Sequence, residues 1–246
     1  MKISIILLGL VLCLPSVAAE KKPLTKEESA KVIEAAIRKE LKKPTGELTK
    51  ADLEKVTKLY LRSNKLTEVP KGLEKLTQLR ELNLWDNKLT DVKDLEKLTH
   101  LTSLSLSNNR LTNVTGLEKL TQLRTLHLGG NPLTNVKGLE NLTQLTYLSI
   151  SNNQLTKLTD GLEKLTQLKR LDLMYNKLTD VKGLEKLTQL KTLWLRYNKL
   201  TDLKGLEKLT QLTSLNLFDN PDITKDQIDE LKKALPKCRI ISDPTK

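Results

Sequence analysis

Beyond residue 56 the chain repeats one pattern of apolar and polar positions. An asparagine recurs at Asn64, Asn87, Asn109, Asn131, Asn153, Asn176, Asn198 and Asn220, at intervals of 22 or 23 residues. Five residues before each stands a leucine, from Leu59 to Leu215. Three before stands another, from Leu61 to Leu217, with Ile150 as the one exception. Eight before stands Val56 in the first copy and leucine in the rest. The motif is L-x-x-L-x-L-x-x-N-x-L, eight times in register. Leu-x-Leu alternation puts both leucines on one face of a short strand and the residue between them on the other. Stacked copies should pair these strands in parallel around a leucine core. The asparagine falls where the chain leaves the strand. Its amide is expected to satisfy backbone groups of neighbouring turns, because buried peptide groups need partners. Each copy then returns along the far side, with positions such as Val92, Leu95 and Leu98 pointing back inward.

Open ends would expose such a core, and the flanking segments read as lids. Thr25 to Lys43 predicts a helix: Thr25 and Glu28 make a capping box, Ile33, Ile37 and Leu41 an apolar stripe, and Pro44-Thr45-Gly46 the break. Thr49 to Val56 predicts a short helical lead into the first strand. At the far end Thr224 and Gln227 make a second capping box, followed by Ile228, Leu231 and Leu235 on one face and a stop at Pro236. Arg239-Ile240-Ile241 is a candidate last strand.

The first residues read as a secretory signal: Lys2, the apolar stretch Ile3 to Leu14, then Ser16-Val17-Ala18-Ala19 before Glu20. The stretch is too short to span a bilayer, and the bulk of Leu12 argues against lipid attachment at Cys13. The expected organisation is a signal peptide at 1–19, a helical N-terminal cap at 20–56, eight repeats at 57–220 and a helical C-terminal cap at 221–246. The predicted fold is α/β: a curved solenoid with a parallel concave sheet and helical caps at both ends.

Composition sharpens this picture. Of 246 residues 56 are leucine and only seven are aromatic, so the core is aliphatic and the aromatics have some other use. Cleavage after Ala19 would leave Cys238 as the sole cysteine, which excludes an intramolecular disulfide. The net charge of +12 invites a nucleic-acid reading. Yet the return-segment lysines (Lys75, Lys97, Lys119, Lys164, Lys186, Lys208) each follow a glutamate, which reads as a mixed solvated surface. No nucleic-acid partner is expected. Anionic cell-surface polymers remain a possible, unspecific one.

The phrase Leu-Thr-Asp-Val-Lys-Gly-Leu-Glu-Lys-Leu-Thr-Gln-Leu at 178–190 resembles the 22-residue leucine-rich repeat of bacterial internalins, and is also similar to eukaryotic phosphatase-regulating leucine-rich proteins. The resemblance covers about residues 57–220 and extends in kind to the helical N-terminal cap. It implies a non-enzymatic scaffold that grips a protein on its concave face, in adhesion or at a host or envelope surface. No wall-sorting tail matching the anchored internalins is found, and the export signal departs from the phosphatase regulators. Two other roles follow from the same residues. One is a structural, envelope-associated protein that binds anionic polymers. The other is an intracellular phosphatase regulator, if the leader is retained.

The copies differ from one another mainly at the strands. Six, four and two residues before each asparagine, the side chains should face outward on the concave sheet. All seven aromatics (Tyr60, Trp85, Tyr147, Tyr175, Trp194, Tyr197 and Phe218) stand at or beside these positions, and none fills a core slot. Arg62, Arg170 and Arg196 share them, and tryptophan, tyrosine and arginine are the residues enriched at binding hot spots. Two candidate ligand-binding clusters result: Tyr60, Arg62 and Trp85 near the start, and Arg170, Asp172, Met174, Tyr175, Trp194, Arg196, Tyr197 and Phe218 over the last three repeats. Between them lies a small polar floor of serines around His127, with Tyr147 at its border. Gly129-Gly130 points to a close backbone contact. No catalytic residue, metal site or cofactor is expected, because His127 and Asp172 stand two repeats apart and no nucleophile motif accompanies them. The expected molecule is an exported monomer.

Overall fold

The computed structural model describes residues 24–158 and 161–243; the predicted signal segment lies outside them. Nine strands form one parallel sheet in strict sequence order. They are β1 (Lys58–Tyr60), β2 (Glu81–Asn83), β3 (Ser103–Ser105), β4 (Thr125–His127), β5 (Tyr147–Ser149), β6 (Arg170–Asp172), β7 (Thr192–Trp194), β8 (Ser214–Asn216) and β9 (Arg239–Ile241). The central leucines align without a slip, Leu59 opposite Leu82, Leu82 opposite Leu104, and so on to Leu215 opposite Ile240. The repeat asparagines therefore fixed the register, and the candidate strand at 239–241 is the ninth member.

Each turn of the solenoid closes around the same leucines. Leu82, Leu84, Leu89, Val92, Leu95, Leu98 and Leu101 are buried in one turn, and their equivalents recur along the solenoid, with Leu158 only partly buried. A fully buried leucine contributes roughly 1.5–3 kcal/mol, so this one continuous core supplies most of the driving force. The return path is a series of single 3-10 turns, for example Leu184–Lys186 and Leu206–Lys208. Its side chains fill the back of the core without forming a full helix.

Helix α1 (Lys26–Leu41) closes the first turn. The Thr25–Glu28 capping box forms, and Ile33 and Ile37 are buried while Leu41 packs at the margin. Helix α2 is shorter than the expected 49–56: it spans Lys50–Leu53, capped by Thr49 and Asp52. The chain turns out of it there because Val56 must drop into the first core slot, where it is fully buried. Helix α3 (Lys225–Ala234) begins at the Thr224–Gln227 box and buries Ile228 and Leu231 over the last repeat. Among the described residues no helix is long and apolar enough to cross a membrane.

Candidate functional site

The concave face is built on two ladders. Seven asparagines, Asn87 to Asn220, are buried. Each Oδ1 accepts the N–H of a leucine in the preceding repeat, as from Leu66 to Asn87 and from Leu111 to Asn131, at 3.0–3.1 Å. Each Nδ2 donates to one carbonyl of its own repeat and one of the preceding repeat, as Asn131 does to Leu128 at 2.9 Å and Leu106 at 3.1 Å. Asn64 has no preceding repeat, and its amide turns to the Arg62 carbonyl. The residue just before each asparagine is held in the left-handed region, with φ between +52° and +69°: Ser63, Asp86, Asn108, Gly130, Asn152, Tyr175, Tyr197 and Asp219. In the first seven its N–H bonds a carbonyl of the next repeat, as Tyr175 does to Arg196 at 2.9 Å, and Asp219 donates instead to the Asp243 carboxylate at 2.7 Å. Glycine, asparagine and aspartate suit that backbone; a bulky side chain in it is an outlier.

Tyr175 and Tyr197 are therefore placed against local preference, and they meet each other. Their rings stack at 4.4 Å between centroids, and Tyr197 meets Phe218 edge-on at 6.2 Å. The Arg196 guanidinium lies 4.4 Å from the Tyr197 ring centre and 5.0 Å from that of Phe218, and it donates to the Tyr197 hydroxyl at 2.9 Å. Arg196 Nε is buried without a hydrogen-bond partner. Tyr175 remains 48% exposed, an open ring at the end of the stack.

The structure thus draws four of the eight residues of the larger cluster into one contact group. The others surround it. Trp194 stands in register beside Asp172, half-buried, Met174 is half-buried one strand earlier, and Arg170 is exposed. Asp172 departs from the expectation of an outward, exposed side chain: it is 6% exposed, accepting from the Ser149 hydroxyl at 3.0 Å and the Met174 N–H at 3.1 Å. Asn83 and Asn216 make the same backbone contact in their own repeats, to Trp85 and Phe218. The position favours any short side-chain acceptor, and the aspartate is drawn down onto the floor.

Near the start, Tyr60 and Trp85 are exposed but form no ring pair among the described residues. The Tyr60 hydroxyl donates to Glu81 at 2.8 Å, which raises the phenol above its ordinary range, and Lys58 pairs with the same carboxylate at 3.3 Å. Arg62 stands exposed beside them. In the middle, His127 and Tyr147 meet as tilted rings at 4.9 Å. Burial pushes the imidazole below its usual range against the weaker pull of the Asp172 charge. The close contact expected at Gly129-Gly130 is present. A Cβ on Gly129 would come 3.0 Å from Ser151 Oγ, and one on Gly130 would collide with the Asn108 side chain.

One feature of the return side is not visible in the spacing. The glutamates of Gly-Leu-Glu are not simply solvated partners of lysine. Glu74, Glu118, Glu140, Glu163, Glu185 and Glu207 each accept the N–H of the glycine two residues back at 2.6–2.8 Å. For Glu163 this bond holds the carboxyl below the usual range. The near-identity of this segment between copies carried the signal. Where Asp94 replaces the glycine, Glu96 pairs with Lys119 at 2.7 Å instead. Among the described residues no three His, Cys, Asp or Glu side chains converge as a metal-binding group.

These ladders and the closed core define a leucine-rich-repeat solenoid, and comparison with known families agrees. A leucine-rich-repeat model matches residues 54–111, and a model of two such repeats matches 99–141, 143–186 and 188–233. The chain belongs to the leucine-rich-repeat family. Within it, the solved structures place the protein beside the internalins. An internalin (InlF) of Listeria monocytogenes is similar at 25% identity and a TM-score of 0.65, over 87% of this chain and 75% of its own. Internalin C2 of the same organism is 29% identical with a TM-score of 0.61, over 74% of this chain and 90% of its own. A leucine-rich-repeat protein of Leptospira interrogans is 28% identical with a TM-score of 0.52, over 78% of this chain and 62% of its own. No curated protein matches. The chain is an internalin-like leucine-rich-repeat protein, a class of protein-interaction scaffold.

Proposed function

We propose that this is an exported, non-catalytic scaffold that binds a protein ligand on its concave face, at a host or envelope surface, with the Tyr175–Tyr197–Arg196–Phe218 stack as the energetic centre of the site. The stack itself carries the reading. It combines two tyrosines in left-handed backbone, an orphaned guanidinium N–H and an exposed ring. Left-handed backbone at a bulky residue costs about 1 kcal/mol or more, and a buried unpaired donor about 1–3 kcal/mol. The solenoid needs none of these, since the same positions elsewhere hold Gly130, Asn108 and Asn152. Costs of this kind collect where a surface is kept for binding. Trp194, Arg170 and Met174 extend the patch above the buried Asp172, and Tyr60, Arg62 and Trp85 form a second contact at the other end. Export is supported by the leader-like first 19 residues and by the internalin likeness.

The test uses the full chain as bait against envelope and host-surface extracts, beside an Arg196→Ala/Tyr197→Ala/Phe218→Ala variant of unchanged circular dichroism. A protein retained by the wild type and lost by the variant is the expected result; equal retention would sink the site. Mass spectrometry of the exported product should find Glu20 at its N-terminus. A retained leader would return the protein to the intracellular reading.

A further inference from the structure

The two rims of the concave sheet carry different chemistry. Where the strands end, the rim bears Asp86, the stacked tyrosines and Asp219. Where the strands begin, it bears cations: Arg80, Arg124, Lys169 and Lys191 stand immediately before β2, β4, β6 and β7, and Arg170 and Arg239 open β6 and β9. All six are exposed, and among the described residues none forms an ion pair. The three residues leading to this rim in repeats two to eight are Thr-Gln-Leu or Thr-His-Leu, so no carboxylate interrupts it from that side. The one acid that opens a strand, Glu81, is already held by Lys58 and Tyr60. On the return side, by contrast, Lys75, Lys97, Lys119, Lys164, Lys186 and Lys208 each follow a glutamate.

The placement is regular because the backbone makes it so. The carbonyls of Arg80, Arg124, Lys169 and Lys191 each accept N–H groups of the next repeat, such as Thr102 and Thr146, at 2.8–3.1 Å. One strand is about 4.8 Å from the next. Arg80, Arg124 and Lys169 therefore recur about every 10 Å along a single line, with threonine hydroxyls and glutamine amides between them. The line holds charges and hydrogen-bond donors with little apolar surface besides Tyr147 to seat a protein side chain.

We infer that this rim is a second binding surface, which takes a linear, sulfated or carboxylated polysaccharide laid across the repeats. Clustered cations of one sign raise the local concentration of a polyanion and release its counterions on contact. With Tyr147 as its main apolar surface, the rim favours a polysaccharide over an acidic polypeptide. The surface does not depend on the Tyr175–Tyr197–Arg196–Phe218 stack and shares only Arg170 with the patch around it.

The probe is heparin, with polyglutamate as the polypeptide competitor. An Arg124→Gln/Lys169→Gln/Lys191→Gln variant is compared with Lys75→Gln/Lys164→Gln/Lys208→Gln, which removes equal charge from the return side, after both are shown to melt as the wild type does. The rim variant should bind heparin about tenfold or more weakly at ~0.1 M salt, and its plot of log affinity against log salt should be shallower by roughly two to three. The return-side variant and the aromatic triple variant should stay within about threefold of wild type. Equal losses in the rim and return-side variants would reduce the effect to net charge and overturn the site. Tighter binding of polyglutamate than of heparin would overturn the proposed occupant.

Discussion

The middle of the concave face and its C-terminal end rest on the same foundation and carry opposite surfaces. From β3 to β5 the floor is Ser103, Ser105, Ser107, Ser149 and Ser151, and the left-handed positions hold Asn108, Gly130 and Asn152. From β6 to β8 those positions hold Tyr175, Tyr197 and Asp219, and Arg196 and Phe218 lean onto Tyr197. The leucines, the asparagines and the strand register beneath are the same in both regions. The repeat therefore specifies a backbone and leaves three side chains per strand free. Only at one end has that freedom been used in a way that costs stability.

The largest expected effect tests the shared foundation. Asn131→Ala leaves the Leu111 N–H buried without a partner and removes one of the two amide donors from the Leu106 and Leu128 carbonyls, which keep Asn109 and Asn153; Asn176→Ala does the same to the Leu155 N–H and to the Ile150 and Leu173 carbonyls. At about 1–3 kcal/mol for the unpaired N–H and ~0.5–1.5 kcal/mol for each further bond lost, each variant should lose roughly 2–4 kcal/mol in urea unfolding. The two losses should agree within about 1 kcal/mol. If only one region proves sensitive, the foundation is not shared. Asn64→Ala, which forfeits one exposed bond, should cost under ~1 kcal/mol.

The next effect separates the regions by binding. Loss of Arg196, Tyr197 and Phe218 together should weaken the captured ligand by about 100-fold or more, as expected for a hot-spot group. Ser105→Ala/Ser107→Ala/Ser151→Ala should change affinity less than about threefold. Comparable losses from both would move the site to the whole face. A finer contrast uses Tyr175 alone. Tyr175→Asn relieves left-handed strain of about 1 kcal/mol and forfeits a stack worth ~0.5–1.5 kcal/mol, so thermal melting should barely move while affinity falls about tenfold. A clear loss of stability would mean that the stack serves the fold.

The same contrast explains what could be read before the structure. Strands, register and both capping boxes were legible, because they depend on residues such as Leu82, Asn87, Thr25 and Thr224 whose roles are local and periodic. The aromatics were legible as a set, since none fits a core slot. Their grouping over the last three repeats was legible too, but the contacts inside it were not: Trp194 and Arg196 share one strand face in the pattern, yet only Arg196 turns onto Tyr197 and Phe218, a choice of rotamer that spacing does not encode. The left-handed position was equally hidden, because eight different contexts hold it and only glycine, asparagine and aspartate announce it. Glu163 and its equivalents looked solvated for the opposite reason. A carboxylate beside lysine is the commonest surface pattern, and its bond to the Gly161 N–H depends on backbone geometry.

The smallest effect concerns the border between the two regions, where His127 of the serine floor feels Asp172 of the aromatic end. Burial lowers the folded-state pKa of His127 below its ordinary 6.5, and the Asp172 charge opposes that shift without reversing it. The unfolded chain therefore takes up a proton that the native state declines. Stability from this residue is complete above pH ~6.5 and falls as the pH drops through that value toward the lowered one. Between pH 7 and 5, above the range where most carboxylates titrate, the wild type should lose slightly more stability than His127→Gln. Asp172→Asn, which removes the opposing charge, should steepen the loss, because the imidazole then has less to gain from protonation. If the wild type instead gains on His127→Gln as the pH falls, His127 has found an anionic partner across the floor and the two regions are electrostatically one site.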